Sequence, residues 1–386
     1  MKNKSFSINW KYILFITIFS IICLEICGRI YLTYILKKSS TPKFQFNSYR
    51  IYEHVPHFHE GESKKDWIVI NGQGFRRTAE VAKIKPENTY RIFLMGGSAA
   101  HGISTAAPYP LVHIYMDQTI DYYLEKMLKQ KYQGQNFEVI NAAVTGYQVF
   151  QHTAYLMSEL LDYHPDLVIF MDGANDHFSN NPDFDPMRDN PYQFWKPRLQ
   201  HPSIIGWMEY GLLWLTKFSG FARGLYAWEL NKDAASNIKK PLQPYKTFSS
   251  DKESIDMYKM TATKNILRFI EININMLKNA KINSIISLQP MLVLRDTTLL
   301  STNEKTFLHI DRNAQLVYPF VVQDLTNLTF RYEVPFLDLN IDFNNIKSGQ
   351  KQLFVDYCHL SSEGGKVVAG SLFPVVDSIF AQRKKN

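Results

Sequence analysis

The chain has 386 residues, enough for one large core carrying an insertion or for two domains. Its formal charge of +7 is scattered, apart from small clusters at Lys37-Lys38, Lys239-Lys240 and Arg383-Lys384-Lys385. That pattern excludes a nucleic-acid-binding stripe and leaves mild attraction to anionic membranes or acidic glycans. With 3 cysteines, two of them in the N-terminal apolar stretch, no disulfide framework is implied.

The first element is a targeting segment. Ile13 to Leu24 is apolar apart from Thr17 and Ser20, Glu25 interrupts, and Ile26 to Leu36 resumes around Arg29. The run is longer than a secretory apolar region, and no Ala-x-Ala cleavage site follows. It predicts one uncleaved membrane-spanning helix in residues 1–38, with a segment lying on the membrane surface as the alternative. Glu25 and Arg29 share a helical face, so they can pair, or Arg29 can snorkel to the interface. The expected location is a single-pass membrane protein with its N-terminus inside and its body extracytoplasmic.

Residues 39–88 read as a polar, irregular linker. His54, His57 and His59 lack acidic or cysteine partners at ligand spacing, so a loop is expected there rather than a metal site. Asn71-Gly-Gln-Gly-Phe-Arg76 lacks the ending of a phosphate loop and reads as a structural turn leading to the first core strand.

Strands and helices then alternate. Ile92 to Met95 has the length and apolarity of a strand buried on both faces. It ends in Gly96-Gly97, a sharp turn that presents Ser98 at the strand's carboxyl end. Ser98 is a candidate nucleophile; a serine N-cap would read the same way. Helical spacing follows over His113 to Gln130. Phe137 to Val144 reads as a strand ending at Thr145-Gly146, and Phe150 to Tyr163 as a helix stopped by His164-Pro165. Asp166 to Asp172 is a third strand, ending in Gly173-Ala174-Asn175-Asp176.

From Ser179 the rhythm breaks, and 182–250 reads as an insertion or lid. Its apolar run Ile204 to Tyr226 contains Glu209, Lys217 and Arg223, which disfavours a second span and leaves an interfacial helix. Alternation resumes with a helix over Glu253 to Ala280, a strand at Ser284 to Gln289, a helix over Lys305 to Phe330 and a strand at Val334 to Asp338. A final helix starts at about Ser362, with Pro374 expected to break it.

The order predicts an α/β fold: a flavodoxin-like three-layer α/β/α arrangement with a mostly parallel sheet of about five strands, plus the N-terminal helix and the insertion. The expected organisation is 1–38 anchor, 39–88 linker, 89–181 first half of the core, 182–250 insertion and 251–386 second half.

A fourth feature is Asp356-x-x-His359. Ahead of a helix, this spacing lets the carboxylate meet one imidazole nitrogen and leave the other free, as a catalytic triad requires. Alone it is also a helix-start cap. Cys358 adjoins it but lacks the strand-turn setting that Ser98 has.

With these four blocks in order, the chain resembles the SGNH (GDSL-like) hydrolases over Thr89 to Asn181 and Ile282 to Phe380. The blocks are Gly96-Gly97-Ser98, Gly146, Gly173-Ala174-Asn175-Asp176 and Asp356 to His359. The first departs from Gly-Asp-Ser by carrying Gly97, and in the second only Gly146 and Asn141 fit. The resemblance implies Ser98 as nucleophile, His359 as general base and Asp356 as its orienting carboxylate. It further implies an oxyanion hole from the Ser98 amide, the Gly146 amide and the Asn175 side chain, with no cofactor and no metal. His101 and His177 become wall residues. The implied protein is a membrane-anchored serine esterase hydrolysing or transferring an O-acyl group, in the first place O-acetyl, on a cell-envelope glycan. A lipase or thioesterase acting on membrane lipids, and a catalytically idle glycan-binding protein on the same fold, are the other readings.

Overall fold

The computed structural model describes residues 10–31, 43–62, 65–103, 112–176, 211, 214–215, 218–225, 251–261, 266–308, 312–346 and 351–383. Most of the expected 182–250 insertion therefore lies outside the described residues, as do His177 and the lysine pairs at 37–38 and 239–240. The chain forms two compact units: Met1–Phe46 with Trp195–Gln243, and Asn47–Phe194 with Pro244–Asn386.

In the first unit, α1 spans Trp10–Ile30. It is long and apolar enough to cross a membrane, and nearly all of its surface is exposed. Gly28 is its buried residue. A Cβ there would come within 2.4 Å of the Phe221 Cα, so the helix backbone lies directly against residues 220–225, which are helical. Of the two alternatives for Glu25 and Arg29, the structure shows the pair, at 2.9 Å. The same carboxylate also accepts hydrogen bonds from the Gly220 amide (2.7 Å), the Phe221 amide (3.1 Å) and the Ser219 hydroxyl (2.7 Å). Glu25 thus satisfies amides that the start of a helix leaves without backbone partners.

The second unit is built on a five-stranded sheet of order β6-β5-β7-β8-β9. The strands are β5 (Thr89–Gly96), β6 (Asn136–Asn141), β7 (Leu167–Asp172), β8 (Asn283–Leu288) and β9 (Phe336–Asp338), and every pairing is parallel. This is the expected α/β fold with the flavodoxin-like strand order. β5 is buried along its length because it is flanked on both sides, with Ile92 opposite Val139 and Leu94 opposite Ile169. From β5 the chain steps outward to β6 and then returns across to β7. That reversal opens a crevice at the carboxyl ends of β5 and β7.

Helices flank the sheet: α2 (Ser98–His101), α3 (Ile120–Lys131), α4 (Val149–Ser158), α5 (Asp251–Thr261), α6 (Leu267–Asn279), α7 (Thr302–Phe307), α8 (Arg312–Tyr332), α9 (Leu339–Asn345) and α10 (Ser362–Arg383). The helix expected over Phe150 to Tyr163 is split. α4 is followed by a tighter 3₁₀ turn at Leu160–Tyr163, and His164 ends it at φ 48°, ahead of Pro165.

Two expectations are corrected. The linker is not wholly irregular, since it holds β1 (Phe44–Asn47), β2 (Ile51–His54), β3 (His59–Glu62) and β4 (Lys65–Val69), with β3 and β4 antiparallel. Pro374 does not break the last helix; α10 runs through it. Proline forfeits a bond to the Gly370 carbonyl and crowds it, at a cost of about 3 kcal/mol. Val368, Leu372, Val376 and Phe380, four apart on one stripe, are all at most 3% exposed. Fully burying such side chains is worth about 1.5–3 kcal/mol each, so packing outweighs the proline. The stripe seats Phe380 edge-on against Tyr90 and Phe137, with ring centroids 4.9 Å apart in both pairs. α10 is also apolar enough to span a membrane by composition, but its buried face identifies it as a core helix.

Candidate active site

Ser98 stands at the first position of α2, directly after β5. From Thr89 to His101 every residue is buried except Ser98, which is partly exposed. The turn therefore offers one side chain to the crevice. Its far end is fixed by Arg76, the cation that closes the Gly-rich turn. The buried guanidinium donates to the carbonyls of His101 and Gly102 at the end of α2, to Trp67 at 2.6 Å and to Ile114 at 2.7 Å. Burial lowers its pKa to about 10, with Asp121 opposing the shift, so it stays charged near neutrality. The Asn71 turn is structural, as expected: its side-chain oxygen accepts from the amides of Gln73 and Phe75.

His359 reaches Ser98 from the loop ahead of α10, with Nε2 2.7 Å from Oγ. Its Nδ1 lies 2.5 Å from Oδ2 of Asp356. The other oxygen, Oδ1, accepts from the amides of Cys358 (2.9 Å) and His359 (2.7 Å). The short spacing works because Asp356 caps its own turn with one oxygen and orients the imidazole with the other. Backbone bonds from Val355 to His359 (2.9 Å) and from Ser361 to Leu353 (2.9 Å) close the loop. Burial opposes charge on His359, but the Cys358 sulfur and Asp356 outweigh it and push its pKa up to about 10. Asp356 is lowered: burial works against its charge, and the bond to His359 prevails.

The loops after β6 and β7 meet beside this pair. Val144 N–H donates to the Gly96 carbonyl at 3.1 Å, bringing the Gly146 loop alongside the Ser98 turn. Gly146 sits at φ 79°. The Asn175 side-chain nitrogen donates to the Tyr147 carbonyl at 2.9 Å, and the Gln148 side chain donates to the Asn175 carbonyl at 2.7 Å. A Cβ on Gly97 would lie 2.4 Å from Asn175 Nδ2. The departure from Gly-Asp-Ser thus has a steric reason in this chain: the Asn175 amide fills the space a side chain would need.

The structure therefore brings together Ser98, His359 and Asp356, with Asn175 against Gly97 and the Gly146 loop adjoining. Asn141 is behind, donating to the Ala100 carbonyl (3.1 Å) and to Asp121 (2.8 Å), a structural position. His101 is buried and its ring stacks on His54 at 4.7 Å. It does not reach solvent, so it is core rather than wall.

Sequence reasoning missed a buried group behind the site. His152 of α4 is fully buried with Nδ1 3.2 Å from Asp172 at the end of β7. Asp176 accepts from the Val149 amide at 3.1 Å. Burial, reinforced by Asp172, holds the Asp176 carboxyl well above the ordinary range. Burial works against charge on His152, and Asp172 outweighs it and raises its pKa. The signal that could have found His152 is its helical position four residues after Gln148, facing the end of β7.

No family model and no curated protein matches the chain. Among solved structures, it resembles the acetyl xylan esterase AlAXEase at 13% identity and TM-score 0.38, covering 74% of this chain and 99% of that one. An acetyl xylan esterase from Geobacillus stearothermophilus matches at 13% and 0.39, covering 76% and 95%. An alpha/beta hydrolase enzyme from the metagenome of Lake Arreo, Spain, matches at 11% and 0.39, covering 75% and 96%. Similarity at this level does not bear on activity.

Proposed function

We propose that the chain is a serine ester hydrolase of SGNH type, held to a membrane by α1, that removes or transfers an O-acyl group, in the first place O-acetyl, on an envelope carbohydrate. The observation that carries the reading is the hydrogen-bonded run from Ser98 through His359 to Asp356 at the carboxyl edge of the sheet. In that reaction Ser98 Oγ attacks the acyl carbonyl carbon and its proton passes to His359 Nε2. Asp356 stabilises the imidazolium that forms. The oxyanion is met by the Ser98 amide at the start of α2, the Gly146 amide and the Asn175 amide nitrogen. That nitrogen has two hydrogens and gives one to Tyr147, which leaves one for the oxyanion. His359 then returns its proton to the leaving alcohol, and water or a sugar hydroxyl takes the acyl group from Ser98.

The carbohydrate part rests on the sequence resemblance, and the membrane part on the length and exposure of α1. A second reading, action on membrane lipids, is favoured by one observation. Trp214, Leu215 and Phe218 of the first unit are 51%, 46% and 65% exposed, an apolar group suited to a bilayer surface. The idle-binding reading lacks support, since a binding site has no use for a serine 2.7 Å from an oriented imidazole.

The test is labelling with a fluorophosphonate, followed by kinetics on aryl esters of increasing chain length. Labelling at Ser98, abolished in Ser98→Ala and His359→Ala, is expected, with acetyl preferred over long acyl. A Ser98→Ala protein that still hydrolyses acetyl esters overturns the proposal, and a preference for long chains moves it to the lipid reading.

A further inference from the structure

The loop that delivers His359 also brings a sulfur to it. Cys358 Sγ lies 3.9 Å from His359 Nδ1, and that nitrogen is 2.5 Å from Asp356 Oδ2. The three donor atoms lie within 4.8 Å of one another, the one such group of three among the described residues. Thiolate, imidazole and carboxylate together are the donor set of zinc. With Zn–S of about 2.3 Å and Zn–N of about 2.0–2.1 Å, a tetrahedral ion holds sulfur and nitrogen roughly 3.5 Å apart. The observed 3.9 Å needs only a small inward adjustment of the sulfur. The carboxylate needs more: its 2.5 Å contact with Nδ1 must open to a ligand–ligand spacing of roughly 3.3 Å. Asp356 Oδ1 keeps its two amide bonds during that movement. Cys358 and Asp356 are 3% and 4% exposed, so an ion seated there would be shielded, while the partly exposed imidazole marks the way in.

We infer that Cys358, His359 Nδ1 and Asp356 form an inhibitory site for Zn²⁺, with water as the fourth ligand. On binding, the Cys358 thiol gives its proton to solvent and its sulfur bonds to the metal. The ion takes the Nδ1 lone pair: in the neutral imidazole the proton moves from Nδ1 to Nε2, and in the imidazolium the Nδ1 proton leaves to solvent while Nε2 keeps its own. Nε2 then donates to Ser98 Oγ instead of accepting from it. The base is blocked while Ser98 itself stays untouched. The site goes beyond the hydrolase reading, and only its inhibitory consequence depends on that reading.

The experiment titrates Zn²⁺ into the full chain, with EDTA reversal, and compares wild type with Cys358→Ala and Cys358→Ser, each against its own metal-free rate. Inhibition reversed by EDTA is expected, with the midpoint moved at least about tenfold higher in both variants, since losing a ligand should cost no less than losing a ligand's outer-shell partner. In parallel, Co²⁺ is added to wild type, Ser98→Ala and Cys358→Ala. A thiolate-to-cobalt charge-transfer band is expected in the first two and absent from the third. Should the band form in a protein with no esterase activity, the metal site stands and the hydrolase reading falls. Equal zinc sensitivity in wild type and both cysteine variants, with no charge-transfer band, overturns the inference.

Discussion

Replacing Gly97 with alanine tests the proposed oxyanion role of Asn175 while leaving that residue in the sequence. Gly97 sits at φ −86°, outside the left-handed region that disfavours a side chain. The new methyl would stand 2.4 Å from Asn175 Nδ2, while Tyr147 O at 3.5 Å is an ordinary contact. Because the clashing atom is the end of a side chain, the fold can yield: Asn175 must withdraw by about 1 Å to reach normal van der Waals distance, and a displacement of that size costs on the order of 10²-fold in rate. Loss of the donor outright, in Asn175→Ala, should lower kcat by about 10²–10³-fold. The two should not add. If Gly97→Ala acts through Asn175, it has little further effect once the amide is gone. The assay is steady-state hydrolysis of an aryl acetate by the four proteins of the cycle, with thermal unfolding as a control. The reasoning fails if Gly97→Ala keeps kcat within about threefold of wild type, or if the double variant loses the product of the two single effects.

Other outcomes follow from the same contacts. His359 must be neutral to accept the Ser98 proton, so kcat/KM should rise with pH along a limb above the ordinary imidazole value of 6.5, toward the raised value of about 10. Cys358→Ala should move that limb down, and a limb that stays put removes the sulfur from the account. The same raised pKa stabilises the fold below pH 6.5, and that contribution fades as pH climbs through about 10. Asp176 has its pKa raised, so its contribution is present below the unfolded value of 3.8 and is lost as pH rises through the folded one. Asp176→Asn, which mimics the neutral acid, should keep activity at neutral pH and resist alkaline unfolding better than wild type; an inactive variant contradicts this. Pro374→Ala restores a bond to the Gly370 carbonyl and should raise stability by about 1–3 kcal/mol, read as a higher Tm.

The strand ends were legible because each core strand is a short apolar block followed by small or polar residues. The meeting of Ser98, Asn175 and His359 at such ends was legible because the chemistry proposed for them needs particular residue types there. Pro374 misled because the local rule is correct and is outweighed by a buried stripe whose partners, Tyr90 and Phe137, lie far away in sequence. His152 was missed for a related reason: its helical spacing is visible, but nothing beside it announces a carboxylate contributed by a strand. Gly97 appeared as a departure from a motif and is a steric match to Asn175, the absence of one side chain making room for another, which spacing along one chain does not encode.

The carboxylate of Glu25 gives α1 a meaning beyond its hydropathy. A helix that served only as an address could be exchanged for any other of equal length and greasiness. This one reaches residues 219–221, nearly two hundred positions later, with three hydrogen bonds, and at Gly28 it leaves no room for a side chain. An exchange that preserves hydropathy but not Glu25 and Gly28 strips the 220–225 helix of its cap and its seat. Cutting the chain after residue 38 spares every group around Ser98, all of which belong to the second unit, but orphans the 195–243 segment. The natural seam for trimming the chain therefore runs through two places at once, and α1 and the 195–243 segment should be removed together or kept together.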